Sequence, residues 1–174
     1  GVAKTLFDAY PWSDVYREEG LVRVPGTSLL RRGGNDGRGE RMAVVTLFGQ
    51  RGPGKPKIGS GDDSAPCREG WFRSGLDELR SALVVDPTSK RRIRSEGGME
   101  GVERSRPPPV RIAMPYLIGC GLAGGSWDSY REMIGGFALS LPGGSEVRLY
   151  RYAPHPGKNS KRGGQSQRPR NKNR

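Results

Sequence analysis

The chain has 174 residues, one domain of ordinary size, and a net charge of +12. Only 33% of the residues are hydrophobic, against 28 Gly and 14 Pro, which excludes one large uninterrupted core. No apolar run approaches the roughly 20 residues of a membrane span, and no secretory leader pattern opens the chain.

GVAKTLFDAYPW places Val2, Leu6 and Ala9 on one helical face, and Pro11 is expected to end that helix near Tyr10. A second short helical piece is expected around 14–19. LVRVPGTSLLRR reads as short extended segments about a Pro25–Gly26 turn, and RRGGNDGRGE as a turn or flexible loop. RMAVVTLFGQ, apolar and rich in β-branched residues, predicts a buried strand of the parallel kind, covered on both faces. The loop that follows is rich in Gly and Pro. CREGWFRSGLDELRSALVV then repeats Trp71, Phe72, Gly75, Leu76, Leu79 and Leu83 at three- and four-residue spacing, the clearest helix in the chain.

A charged stretch, 86–109, follows. VRIAMPYLIG predicts a second buried strand, and SWDSYREMIGGFALSL a helix capped by Ser126 or Asp128 with Tyr130, Met133, Ile134 and Phe137 inward. EVRLYRY predicts a last, alternating strand. Alternation of helix and strand implies parallel strands with crossover helices, an α/β layered domain. One folded unit is expected over 1–152, with flexible insertions at 51–67 and 86–109 and a basic disordered tail over 153–174.

The chemistry-bearing residues are few. His155 is the sole histidine and lies in the tail between two prolines, which disfavours Ser-His-Asp or Cys-His catalysis. Cys67 and Cys120 fit no zinc or disulfide spacing, so a reduced intracellular setting, cytoplasmic or nuclear, is expected. Cys120 reads as a small thiol packed in a tight loop, Asp62–Asp63 as water-facing, and Trp71 and Trp127 as core anchors. LIGCGLAGGSW at 117–127 stands where a parallel strand gives way to a helix, the usual place for a ligand in such sheets. Its glycines serve either a tight turn or a close approach of phosphate to bare backbone N–H groups. It is not a GxxxxGK[ST] loop, and although Gly119, Gly121 and Gly124 spell GxGxxG, it is not read as that fingerprint with an acidic residue about 20 positions on, so no nucleotide cofactor of those kinds, and no metal, is implied.

PYLIGCGLAGGSW with its following helix resembles the second ligand loop of macrodomains, α/β/α modules that bind ADP-ribose. GVAK resembles the close of that family's first ligand loop, and PGT at 25–27 and MAVVTLFGQ fall between in the same order. The resemblance covers about 1–50, 68–85 and 110–152, and is most specific at 115–127. It implies a three-layer α/β/α domain with a mostly parallel central sheet. The family's first strands, which carry an adenine-contacting Asp and an Asn near the distal ribose, would precede GVAK. The sheet of these 174 residues is therefore expected to be N-terminally incomplete, marginally stable, and weak or inactive toward ADP-ribose.

The resemblance also assigns roles. Gly119, Cys120, Gly121, Leu122, Ala123, Gly124 and Gly125 would give backbone donors to the diphosphate and cover the distal ribose. Val2 and Ala3 would close the opposite side, and Tyr150 or Tyr152 would stack near adenine or pack in the core. The Ala-Gly-Gly-x-Trp form is similar to the ADP-ribose 1''-phosphate phosphatase branch. The Lys–Asp pair of a neighbouring, de-ADP-ribosylating branch is replaced at the matching places by Leu47 and Ala123. The implied function is ADP-ribose binding, extending to ADP-ribose 1''-phosphate hydrolysis, by a monomer with no catalytic base identified. The +12 charge supports a different class, a basic RNA-associated protein whose α/β core is a scaffold.

Overall fold

Residues 2–35, 41–56, 62–84 and 107–151 are described by a computed structural model of the chain. Helix α1 (Val2–Ala9) stops before Pro11, which opens a 3-10 turn over Pro11–Ser13. The helical piece expected around 14–19 is instead turn and bend, with Asp14 accepting the Tyr16 N–H at 2.9 Å. The turn is anchored by Ser13 and Val15, both fully buried, and α1 packs on it through Phe7 against Tyr16.

Strands β1 (Ser28–Asn35) and β2 (Arg41–Leu47) form an antiparallel pair, from Ser28 opposite Leu47 to Asn35 opposite Arg41. This corrects two expectations. Residues 31–35 are strand, not loop, and β2 is not a parallel strand covered on both faces: Val44 is buried while Ala43 is exposed. The physical reason is a close approach. Gly33 lies under the Trp12 indole, where an added Cβ would fall 2.0 Å from Cζ2, so a glycine inside the strand admits the ring. The register shifts between Arg32 and Asn35, next to that contact.

Helix α2 (Ala65–Val84) begins two residues before the sequence pattern suggests, inside the segment expected as insertion. Ser64 sits at its start. Its Oγ accepts the Cys67 N–H at 3.4 Å and Pro66 occupies the first turn, where a missing N–H costs nothing. The hairpin packs on α2 at Gly75, whose bare Cα admits Leu47 and the Thr27 carbonyl.

Strand β3 (Arg111–Pro115), helix α3 (Trp127–Leu139) and strand β4 (Glu146–Tyr150) make one βαβ unit, with β3 and β4 parallel from Arg111–Glu146 to Pro115–Tyr150. The core joins Phe72, Leu76 and Leu79 of α2 to Met114 of β3 and to Tyr130, Met133, Ile134 and Phe137 of α3. Ile112 and Val147 pack against it from the same sheet face. The opposite face carries Arg111, Ala113, Glu146, Arg148 and Tyr150, all exposed. RIAMP and EVRLY alternate, so this parallel pair is half-buried, where strands sandwiched between two helical layers read as continuous apolar runs. The described residues thus form a mixed α/β protein with two two-stranded sheets, one antiparallel and one parallel. The parallel element and its crossover helix are as expected; a mostly parallel central sheet is not what the described strands form.

Candidate functional site: the 116–126 loop

The βαβ unit places residues 116–126 at the carboxyl end of β3, before α3. The loop is fixed at its entrance by the Tyr116 N–H, which donates to the Tyr150 carbonyl at 2.8 Å and so continues the β3–β4 ladder. It then turns tightly: the N–H of Ile118 donates to Pro115, that of Cys120 to Leu117, that of Gly124 to Gly121 and that of Gly125 to Gly119. Leu117, Gly119 and Gly124 take positive φ, of 61°, 73° and 70°.

Two of the glycines are crowded by one side chain, and Gly125 also by the Gly119 carbonyl oxygen, 2.7 Å from where its Cβ would fall. A Cβ on Gly119 would lie 2.4 Å from Tyr130 Cε1, and a Cβ on Gly125 would lie 2.6 Å from Tyr130 Cε2. The Tyr130 ring is therefore flanked by the two ends of the loop, while its other contacts include Phe72, 4.6 Å away between ring centres. Gly121 differs, because an added Cβ would meet nothing within 4 Å. The tip is open at Gly121 and Leu122, and Leu122 is 88% exposed.

This geometry divides the donors expected from the sequence. The N–H groups of Cys120, Gly124 and Gly125 are spent on loop carbonyls, which removes them from a phosphate cradle. Those of Gly121, Leu122 and Ala123 form no hydrogen bond with described residues. Three consecutive donors are thus left at the tip, the arrangement that oriented backbone amides offer to anions. Ser126 stands at the N-cap of α3 without a side-chain cap bond, and Asp128 lies in the first turn.

Cys120 is half-buried and its Sγ lies 3.3 Å from the Ile118 carbonyl oxygen. Burial, reinforced by the charge of Glu69, pushes its thiol above the ordinary range, so it is a protonated packing group and a poor nucleophile. Burial, followed by the neighbouring Cys120 and Glu69, raises the Tyr130 phenol, and the charge of Arg68 opposes the rise.

The other predicted residues are more scattered. Tyr150 is 56% exposed, which sets aside core packing, and its side chain interacts with Arg148. Tyr152 lies outside the described residues. Ala3 is exposed on α1, and no hydrogen bond among the described residues joins Val2 or Ala3 to the 116–126 loop. Beside the loop, Tyr116 and Trp127 meet edge to face at 4.9 Å, and the Arg151 guanidinium stands 4.6 Å from the centre of the Tyr116 ring.

Sequence reading missed Arg68. It lies on the first turns of α2 and is only 3% exposed. Its Nε donates to Asp63 Oδ1 at 2.7 Å and its Nη2 to Asp63 Oδ2 at 2.6 Å, a bidentate pair. Asp63, expected to face water, is buried as its partner. The remaining donors reach the Gly54 carbonyl at 2.6 Å and the Ala123 carbonyl at 3.2 Å. Removing one partner from such a pair costs about 3–5 kcal/mol, because the other charge is left buried. The one signal in the sequence was the spacing of Asp63 and Arg68 around a helix start, which alone is unspecific. Among the described residues no group of three or more His, Cys, Asp or Glu is placed to hold a metal. No helix of the described residues is long and apolar enough to cross a membrane.

No family model, curated protein or solved structure matches the chain.

Proposed function

We propose that the chain is an ADP-ribose-binding module of macrodomain type, in which the 119–125 loop holds the diphosphate. The observation that carries this reading is the run of N–H groups at Gly121, Leu122 and Ala123 that form no hydrogen bond with described residues, at the carboxyl end of a parallel strand and ahead of a helix N-terminus. Both features favour a phosphate group, the first by donors and the second by the helix dipole. The loop offers binding more directly than chemistry, since the Cys120 thiol is held protonated. Phosphate removal from ADP-ribose 1''-phosphate is the enzymatic extension of this reading. The loop amides would then stabilise charge developing on the phosphoryl oxygens.

The test is an amide-resolved NMR titration of the 174-residue chain with ADP-ribose, a method that reads even weak binding. The amides of 121–123 should move first, and Gly121→Glu should abolish the movement by placing a carboxylate in the site without disturbing the fold, because the position is open. A loop that stays still at millimolar ligand, or shifts that survive Gly121→Glu, would reject the assignment. The +12 charge favours a second reading, binding of RNA or another polyanion. In that case affinity should fall steeply with salt, survive Gly121→Glu and depend on 155–174.

A further inference from the structure

Arg68 joins three stretches of chain that are far apart in sequence: the 50–56 segment, the Asp63 turn at the start of α2, and the 119–125 loop. A buried arginine is an expensive way to stabilise a helix start, and an apolar residue of similar volume would often do as well. What an apolar residue cannot do is bond several carbonyls at once. Here the fork that grips Asp63 leaves donors for Gly54 and Ala123, with the Gln50 side chain at 3.4 Å and the Lys55 carbonyl at 3.5 Å at the edge of bonding range. Asp63 fixes the fork, and the fork fixes both segments.

The outcome is a specific neighbour for the loop. A Cβ added to Gly124 would fall 3.3 Å from Lys55 Cγ and 3.2 Å from Pro56 Cδ, so the stem of Lys55 runs past the loop's last turn. Lys55 is exposed and forms no salt bridge among the described residues. We infer that Arg68 is the positioning residue of the 119–125 loop, and that by holding the 54–55 backbone against Ala123 it seats Lys55 as the cation of that loop's anion site. Arg68 itself touches no ligand. The part assigned to Lys55 rests on the diphosphate-binding reading above; the part assigned to Arg68 does not.

The two parts are tested separately. Amide hydrogen exchange on the ligand-free protein reads the first. The Gly124 and Gly125 N–H groups are bonded to the Gly121 and Gly119 carbonyls. In the double variant Asp63→Asn/Arg68→Gln, which leaves no buried charge, their exchange should quicken by roughly tenfold or more relative to the core amides of Leu76 and Leu79. Arg68→Lys serves if that variant does not fold, since an ammonium keeps the charge and loses the fork. Equal exchange at Gly124, Gly125, Leu76 and Leu79 in the variant and the parent would overturn the positioning role, whatever the chain binds. The second part is read by titrating ADP-ribose into Lys55→Gln. Binding should weaken by about threefold, the weakening should vanish at high salt, and thermal stability should stay unchanged. Affinity equal to the parent at low salt would remove Lys55 from the site while leaving Arg68 in place. Failure of the parent to bind ADP-ribose would instead strike the diphosphate reading, with the exchange result still deciding Arg68.

Discussion

The two ends of the 119–125 loop and its tip are built from the same residue type and obey different constraints. Gly119 and Gly125 lie against the Tyr130 ring, with no room for a Cβ. Gly121, two residues further on, faces open space. The contrast teaches that glycine content alone does not mark a ligand site. The ends are glycine for packing, while at the tip the N–H groups of Gly121, Leu122 and Ala123 form no hydrogen bond with described residues. A ring at the base and free donors at the top make a rigid support under an open surface.

The largest expected effect removes the support. Tyr130→Ala should cost about 3–5 kcal/mol in denaturant unfolding, the usual cost of deleting a buried aromatic. Next come the ends. Gly119→Ala meets Tyr130 at 2.4 Å and also forces a Cβ onto a φ of +73°, so about 2–4 kcal/mol should be lost. Gly125→Ala carries the steric part alone and should cost less. Combining Gly119→Ala with Tyr130→Ala sharpens the point, because the clash vanishes with the ring. A double-mutant cycle should give a coupling of about 1–3 kcal/mol, and strict additivity would show that the ring is not what excludes the side chain.

A smaller effect follows from the half-buried Cys120 thiol. The Cys120 pKa is raised in the folded state, so at high pH the unfolded chain ionises first. Between the unfolded pKa, about 8.5, and the higher folded one, the unfolded state binds fewer protons, and stability falls as pH rises. Below about pH 8 the full contribution is present. Urea unfolding should therefore weaken from about pH 9 upward, less so in Cys120→Ser, and alkylation of Cys120 at pH 8 should be slower than that of a free thiol. An unchanged slope in Cys120→Ser would show that another group carries the loss. The smallest effect is at the tip: Gly121→Ala should change stability by less than about 0.5 kcal/mol. A large loss there would erase the distinction between base and tip.

The elements legible from sequence share one property: their pattern is local. The recurrence of Phe72, Leu76 and Leu79 on α2 and of Tyr130, Met133, Ile134 and Phe137 on α3 names the inner faces, and those residues form the core. Pro11 ends α1 as expected. The parallel pairing of β3 with β4 follows from a strand, a helix and a strand in succession. The hairpin was missed because Gly33–Gly34 reads as a breaker, and only the Trp12 ring lying on Gly33 makes glycine suitable within a strand. The burial of Asp63 was missed for the same kind of reason. Its partner is five residues away, but what buries the pair is the 50–56 segment and the 119–125 loop, brought there by the whole fold.

For the site, the sequence by itself determined the place of the loop, the smallness of its residues and the helix that follows it. Those depend on chain order and residue size, which need no partner to be read. Only the tertiary structure decided which glycines are held by Tyr130, which N–H groups are consumed within the loop, and that Arg68 ties the loop to the segment carrying Lys55. Tyr130 and Arg68 meet the loop across separations of five or more positions, and the loop's own N–H bonds span three to six. Such contacts are set by the packing of α2 against α3, where the geometry of one helix fixes what its neighbour can touch.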